Sequence, residues 1–366
     1  MRVLLCSPFN SEQNNNPGGI IVWTKNIKEY YDNSTDSKDL ELEIYPLDRS
    51  VYVYGKSSRI LRIWVGLKDY LRHAFRIYKK LHCKKYDIIH LSSSASFSLY
   101  KDWLILRIAN ILNVETVIHF HFGRIPELCS KNNWEWKLLK KVLQQSSKAI
   151  VMDARTYSVL KEVKDRVYNV PNPLSIQVTR TIDHIQVGKR TGRTVLFVGH
   201  VVKDKGVYDL VQACASIPNV QLKMVGKVLP KDKEIILSSL DDNSWIEFTG
   251  PLSHEKVLQE MLKCGVFVLP SYTEGFPNVI IESMYCGCPI VATNVGAIPE
   301  MLNVSNEICA GICVEPGDVE QLRNAIRLIL DKINYAEKLG HNAKQRVVDE
   351  YSITAVWNML NKIWCN

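Results

Sequence analysis

The chain has 366 residues, of which 46% are hydrophobic and 23% charged, close to the averages of soluble globular proteins. This composition excludes disordered and fibrous proteins, and the length suits two α/β domains better than one core. No window approaches the roughly 18 apolar residues of a membrane-spanning helix, since the run 105–112 is interrupted by Arg107 and Asn110. We therefore expect a cytoplasmic protein.

The formal net charge of +8 is concentrated in the first half of the chain. Residues 1–172 carry 27 Lys and Arg against 17 Asp and Glu, whereas residues 173–366 carry 19 against 21. Within 57–86 there are nine basic residues and one acid, Asp69. This segment predicts a local basic surface.

The N-terminal apolar run 3–6 meets Pro8 at once, which is typical of a first buried strand and not of a signal peptide. Ten cysteines without such a leader indicate reduced thiols. Neither Cys286/Cys288 nor Cys309/Cys313 has the paired CxxC spacing of a zinc site, so we expect small buried side chains.

Short apolar runs alternate with longer helical stretches through the first half, the pattern of βαβ units with parallel sheets. Each run is nearly continuous, which indicates strands covered on both faces. The predicted strands of this half are 3–6, 87–91, 115–121 and 148–152.

Between the first two of these strands, the segment 57–86 has helical periodicity. Its apolar residues are Ile60, Trp64, Leu67, Leu71, Phe75 and Tyr78. Its basic residues are Arg59, Arg62, Lys68, Arg72, Arg76, Lys79 and Lys80, among others. Two interpretations stay open: a helix that docks on an anionic membrane surface, or a core-facing helix with a solvated basic face. Nucleic-acid binding is not favoured, because no recognised module accompanies the charge.

Around Pro171-Asn172-Pro173 the pattern stops, and a polar stretch through Gly192 is the candidate linker. A second set of strands follows at 194–199, 221–225, 246–248, 266–269, 289–292 and 311–314. A helical apolar stripe between Tyr351 and Trp364 predicts a final helix whose apolar face packs on another surface of the protein. We predict two doubly wound domains: 1–172, with 351–366 packing back on it, and 190–350.

The segment 269–293 is the most informative of the chain. A buried strand ends near Pro270, a loop follows, and a helix begins near Pro277. Open α/β sheets bind ligands at this edge, where a helix N-terminus offers N–H groups to a diphosphate. Glu274 in the loop and Glu282 in the helix are placed to bind sugar hydroxyls on either side of the diphosphate. Taken alone, Glu274 can also be an ordinary carboxylate of a loop, and Glu282 an ordinary charge near the start of a helix.

This segment resembles the E-x7-E motif of family 4 retaining glycosyltransferases, which have the GT-B fold. The residues that carry the likeness are Glu274-Gly275-Phe276-Pro277-Asn278, Glu282, the run Gly287-Cys288-Pro289-Ile290-Val291-Ala292-Thr293, Gly296 and Pro299-Glu300. The resemblance implies an α/β protein of two Rossmann-like doubly wound domains facing across a cleft.

The resemblance also implies roles for the motif residues. Glu274 binds donor-sugar hydroxyls near the reacting carbon, and Glu282 binds the ribose of the nucleotide. The backbone from Gly275 and Phe276 through Pro277, Asn278 and Val279 contacts donor sugar and phosphate. Glu300 lies near the donor, or is a helix N-terminal charge.

A second element, 195–206, is similar to the family's strand, glycine turn and Arg…Lys-Gly pair that neutralises the diphosphate. Gly199 forms the turn, and Lys205 takes the lysine position. A fixed cation there stabilises the charge that the leaving nucleoside diphosphate gains in the transition state. His200 departs from the family, because many members have arginine there and a histidine can be neutral at pH 7.

Other strand ends carry weaker signals. Gly226, and the segment 248–251, are similar to the family's glycine turn and base-proximal loop, although any Rossmann turn shows such residues. Gly18 and Gly19 resemble the family's loop by the donor phosphate and acceptor, and they lack the GxGxxG spacing of a nicotinamide site.

His119 and His121 end a predicted strand and lie on one face of it. By the resemblance, His121 points at the donor sugar, and His119 is the second choice. Either histidine can instead be a packed structural residue.

The resemblance implies a retaining hexosyltransferase with Glu274, His121 and Lys205 in its catalytic centre. Its donor is a UDP- or GDP-linked sugar, and its acceptor is a saccharide, carried on polyprenyl diphosphate, in capsule, O-antigen or exopolysaccharide synthesis. We expect no separate cofactor and no divalent metal, because no Asp-x-Asp pair sits at a strand end. We expect the protein in the cytoplasm or on the inner face of the plasma membrane.

Two other functions stay open at this point. A nucleotide-sugar epimerase or hydrolase of the same fold would act without an acceptor. An inactive scaffold of a polysaccharide-assembly complex would not bind nucleotide sugars at all.

Overall fold

The computed structural model describes residues 1–9, 18–34, 39–48, 59–185, 188 and 190–366. The chain divides into two compact units, one of Met1–Pro173 with Ile353–Asn366 and one of Leu174–Ser352. Each unit is built around a six-stranded parallel sheet.

The first sheet has the strand order β2-β1-β3-β4-β5-β6. Its strands are β1 (Arg2–Ser7), β2 (Glu41–Pro46), β3 (Ile88–Ser93), β4 (Glu115–Phe120), β5 (Lys148–Val151) and β6 (Val167–Asn169). The helices between them are α1 (Gly19–Asn33), α2 (Arg59–Cys83), α3 (Ser98–Ile111), α4 (Ile125–Lys131), α5 (Trp134–Gln145) and α6 (Ala154–Lys161).

Successive residues of a strand point to opposite faces, and both faces of this sheet are covered. Along β1, Leu4 packs in one apolar cluster and Val3 and Leu5 pack in the other, all with no exposed surface. This two-sided burial is the reason for the continuous apolar runs in the sequence.

The second sheet has the strand order β12-β11-β10-β7-β8-β9. Its strands are β7 (Thr191–Val198), β8 (Gln221–Val225), β9 (Ile246–Gly250), β10 (Cys264–Leu269), β11 (Ile290–Thr293) and β12 (Ile312–Val314). Its helices are α7 (Ile176–Asp183), α8 (Val207–Cys214), α9 (Pro230–Ser238), α10 (His254–Lys263), α11 (Asn278–Tyr285), α12 (Ile298–Met301), α13 (Val319–Asp331) and α14 (Ile333–Arg346). A short 3-10 turn covers Lys203–Lys205, and a π turn covers Val347–Tyr351.

The last helix, α15 (Ile353–Cys365), belongs to the first unit. Trp357 and Trp364 are buried among the residues of the α1 side of the first sheet. The Trp364 indole N–H donates to His90 Nδ1 at 3.1 Å, and Lys148 Nζ donates to the carbonyl of Ile363 at 2.8 Å. The apolar stripe of the C-terminal segment thus covers one face of this sheet.

The predicted fold class of two doubly wound α/β domains is confirmed, but two strands of the first sheet were not predicted. β2 alternates charged and apolar residues at the sheet edge, and β6 has only three residues. The linker prediction is wrong for Ile176–Asp183, which forms α7 with Val178 and Ile182 buried. Two apolar residues in a short polar segment give too little periodicity to show a helix.

All ten cysteines are free thiols in the structure. Within the described ranges, no helix combines the length and apolarity that crossing a bilayer requires.

Candidate functional site

The central feature of the second unit is the point where its strand order reverses. From β7 the sheet continues through β8 and β9 on one side and through β10, β11 and β12 on the other. The loops that follow β7 and β10 therefore emerge side by side, where doubly wound sheets bind ligands. Lys205 follows β7 and Glu274 follows β10.

Lys205 and Glu274 form an ion pair at this point. Lys205 Nζ lies 2.6 Å from Glu274 Oε1, and the Ser271 hydroxyl donates to the same oxygen at 2.7 Å. Only 12% of the Glu274 side chain is exposed, against 34% for Lys205. Both bonds reach Oε1, so among the described residues Oε2 keeps its lone pairs for another donor.

The loops after β7 and β10 are joined by hydrogen bonds and by a close backbone contact. The Tyr272 backbone N–H donates to the carbonyl of Asp204 at 3.0 Å, and its hydroxyl donates to Asp209 Oδ2 at 2.7 Å. Gly206 has φ +67°, and a Cβ there would lie 1.9 Å from the Pro270 carbonyl oxygen. Only glycine allows this approach, which holds Lys205 beside the end of β10.

The loop after β11 supports the Glu274 loop from the other side. The Ala297 N–H donates to the carbonyl of Gly275 at 2.9 Å. Gly296 has φ +54°, and a Cβ there would lie 2.4 Å from the Glu274 carbonyl oxygen. Glu300 lies half-buried in α12, where its carbonyl accepts from Arg346 Nη2 at 3.1 Å.

Helix α11 begins at Asn278, one residue later than predicted, with Pro277 in the extended conformation before it. Phe276 and Pro277 are buried, whereas Gly275, Asn278 and Val279 are half-buried. The N-terminus of this helix carries the positive end of the helix dipole, which favours an anion at this position.

Glu282, on the second turn of α11, bonds to a residue that sequence reasoning missed. Glu282 Oε1 lies 3.1 Å from Nε2 of His254, the first residue of α10. This hydrogen bond raises the pKa of His254 above its ordinary value, against the effect of partial burial. The two residues stand 28 positions apart in different helices, so no spacing in the sequence predicts the contact.

The remaining predicted residues of this unit lie at neighbouring strand ends. The Gly199 N–H donates to the carbonyl of Val225 at 2.9 Å, and the Gly226 N–H donates to that of Gly250 at 3.0 Å. These bonds extend the ladder of β7, β8 and β9 to the edge of the sheet. His200 is exposed at this edge, and the structure joins no other predicted side chain to it.

The predicted histidines of the first unit belong to an aromatic cluster at the end of β4. The rings of His119 and His121 lie 3.9 Å apart, and Trp23 contacts them at 5.0 and 4.8 Å. His90 on β3 lies 5.4 Å from His119. Sequence reasoning missed Trp23 and His90, which come from other elements.

Burial decides the charge of these histidines. Burial lowers the pKa values of His90 and His121 to about 3 and lowers that of His119 well below its ordinary value. All three rings are therefore neutral at physiological pH. In the described part of the chain, Nε2 of His121 and both ring nitrogens of His119 are buried without a hydrogen-bond partner.

Gly19 begins α1 in the same unit, and Gly18 is the residue just before the helix. No described atom lies within 4 Å of a Cβ built at either residue. Packing therefore does not require these glycines, and space remains beside the helix start.

The fold is the GT-B fold of two Rossmann-like domains. Sucrose-phosphate synthase from Thermosynechococcus elongatus superposes over 99% of this chain and 98% of its own with a TM-score of 0.75 at 19% identity. HepE from Anabaena, solved in complex with UDP-glucose, superposes over 99% of this chain and 98% of its own with a TM-score of 0.65 at 16% identity.

The match to a protein family falls in the second unit. Residues 179–346 match the family described as Glycosyl transferases group 1. The capsular polysaccharide biosynthesis glycosyltransferase CapM of Staphylococcus aureus is 30% identical over 179 residues, which are 46% of this chain and 44% of that protein. The chain thus matches less than half the length of this relative. Together these matches show the GT-B fold for the chain and a similarity of residues 179–346 to glycosyltransferases.

Proposed function

We propose that the protein is a retaining glycosyltransferase that moves a sugar from a UDP- or GDP-linked donor to a hydroxyl of a saccharide acceptor. The acceptor is carried on polyprenyl diphosphate and belongs to capsule, O-antigen or exopolysaccharide synthesis. The observation that carries this proposal is the Lys205–Glu274 pair at the strand-order reversal of the second sheet.

Lys205 supplies the charge that the reaction needs. When the bond between the sugar C1 and the phosphate oxygen breaks, the diphosphate gains negative charge. A cation already fixed in place stabilises that charge without reorganisation. The contacts of the loops after β7 and β10 fix the backbone beside Lys205, so the site is built before the donor arrives.

Glu274 and Glu282 recognise the two sugars of the donor. Glu274 is held by Lys205 and Ser271 and has a second oxygen for a hydroxyl of the transferred sugar. Glu282 is held by His254 and binds the ribose. His121 acts as a neutral hydrogen-bonding group toward the donor sugar, because its pKa of about 3 leaves it uncharged.

The anomeric configuration is retained because the acceptor attacks C1 of the sugar on the face from which the leaving group departs. The acceptor oxygen forms its bond to C1 as the bond from C1 to the phosphate breaks, and the acceptor proton passes to the departing phosphate oxygen. This step needs no nucleophile, metal or cofactor from the protein. The relatives support the assignment, since HepE holds UDP-glucose and CapM is named for capsular polysaccharide biosynthesis.

The proposal is tested by screening UDP- and GDP-sugars by thermal shift and then assaying transfer with the best donor. A donor that binds only the folded protein raises its melting temperature. We expect one nucleotide sugar to do so, and transfer with retained configuration to a polyprenyl-diphosphate saccharide in the presence of EDTA. Release of free nucleoside diphosphate or epimerised donor without acceptor would identify a hydrolase or epimerase. If no nucleotide sugar binds, the proposal fails.

A further inference from the structure

Helix α2 packs on the first unit with one face and leaves a second apolar face in solvent. Its core-facing residues include Ala74, Ile77 and Leu81, which are at most 6% exposed. The exposed stripe consists of Trp64 (67%), Leu67 (47%), Leu71 (57%), Phe75 (68%) and Tyr78 (43%). The interpretation of this stripe as a core-facing surface is therefore wrong.

The stripe is continuous along the helix. Its members recur every three or four residues, so they line one side of about four turns. At about 100° per residue, Leu71 and Phe75 lie on the opposite side of the helix from His73 and Ile77, which are buried. Isolated exposed apolar residues are normal, whereas a contiguous row of this size marks an interaction surface.

Cations flank the stripe. Lys68, Arg76 and Lys79 are exposed beside it. The one acid of the helix, Asp69, is 4% exposed and forms an ion pair with Arg72 Nη2 at 2.8 Å. The surface therefore presents apolar side chains and positive charge together.

Either a second copy of the chain or a lipid surface can cover this apolar stripe, and the positive charge beside the stripe decides between them. A second copy of the chain, docked through the same face about a two-fold axis, would bring these cations against their own counterparts. An anionic lipid surface offers negative phosphates to the cations and an apolar layer to the stripe.

We infer that α2 lies on an anionic phospholipid bilayer, with Trp64, Leu67, Leu71 and Phe75 at the boundary of headgroups and acyl chains. Lys68, Arg76 and Lys79 contact lipid phosphates. This binding is independent of sugar transfer and requires no nucleotide sugar.

The test is co-sedimentation of the full chain with vesicles of phosphatidylglycerol and phosphatidylcholine, and with vesicles of phosphatidylcholine alone. We expect binding to the anionic vesicles that falls with added salt and is at least about tenfold weaker on neutral ones. The variants Leu71→Ser/Phe75→Ser and Lys68→Glu/Lys79→Glu should each weaken it about tenfold or more. Ile111→Ser is the matched control, since Ile111 is 72% exposed on α3, and should leave binding unchanged.

Circular dichroism melting of each variant shows that it is folded. Equal binding to neutral and anionic vesicles, no binding, or wild-type binding by either double variant would overturn the inference. A dimer in light scattering that Leu71→Ser/Phe75→Ser disrupts, without vesicle binding, would assign the stripe to self-association instead. Donor binding by thermal shift is read separately, so failure of sugar transfer and failure of membrane docking are distinguishable.

Discussion

The individual side chains of the second unit form two charged pairs near the ends of its strands. Lys205, Ser271 and Glu274 are joined by short hydrogen bonds, and His254 and Glu282 form a second pair. The sequence motif identifies the two glutamates and the lysine. It does not identify Ser271 or His254 as their partners, because those contacts depend on how loops and helices meet.

The substitution Glu274→Gln should remove most of the activity and change the stability of the fold little. The amide keeps the size of the side chain but loses the charge that orders Lys205 and binds donor hydroxyls. We expect kcat/KM to fall by roughly 10²–10³, comparable with loss of one preorganised catalytic contact. The melting temperature should change little, because partly exposed ion pairs contribute about 0–1 kcal/mol.

The control for this variant is Glu260→Gln. Glu260 pairs with Lys223 at 2.9 Å in the same unit, and both side chains are 24% exposed. It should retain wild-type kcat/KM. Equal losses in the two variants would show that Glu274 acts only through stability.

His254 gives the donor affinity a pH dependence. Its pKa is raised by Glu282, so the charged pair is present below that pKa and is lost as the pH rises through it. We expect the donor KM to increase as the pH rises through the raised pKa of His254, with kcat little changed. His254→Gln should remove the pH dependence while keeping a hydrogen-bond donor. A wild-type KM that stays flat from pH 6 to 8.5 would contradict this role for His254.

Among the structural elements, the predictable ones are those whose own sequence shows their environment. β1 and β3 are buried on both faces and read as continuous apolar runs. β2 and α7 are covered on one side and mix polar with apolar residues, so their periodicity is weak. The exposed stripe of α2 differs from these elements, because periodicity reveals an apolar face but not what covers it.

The loop after β11 should be as important for the site as the motif itself. In Gly296→Ala, the new Cβ would lie 2.4 Å from the Glu274 carbonyl oxygen in a strained conformation. We expect a loss of about 1–3 kcal/mol in stability and at least about tenfold weaker donor binding. Urea unfolding and calorimetric titration measure these two effects.

Gly66→Ala is the matched substitution on α2, where no described atom lies within 4 Å of the new Cβ. It should stabilise the protein by up to about 1 kcal/mol through helix propensity and leave donor binding unchanged. Normal donor binding by Gly296→Ala would show that the Glu274 loop does not depend on this contact.

At the scale of the whole molecule, the buried histidines tie stability to pH. The folded protein holds His90 neutral down to about pH 3, whereas an unfolded histidine titrates near pH 6.5. The unfolded chain then binds more protons below pH 6.5, so the free energy of unfolding falls as the pH falls. For His90 alone, the loss at pH 5 relative to pH 7 is about 2 kcal/mol.

Urea unfolding followed by tryptophan fluorescence at pH 7 and pH 5 measures this effect. His90→Gln keeps an acceptor for the Trp364 indole and removes one titrating group. It should lose less stability between the two pH values than the wild type does. Identical losses would show that His90 is accessible to protons in the folded state.

The most direct test of the proposed function is calorimetric titration of the best nucleotide sugar into the wild type and Lys205→Met. A cation that pairs with the diphosphate contributes about 1.5–3 kcal/mol through charged hydrogen bonds, so the variant should bind at least about tenfold more weakly. Undiminished affinity in Lys205→Met would contradict a donor site at the ends of β7 and β10.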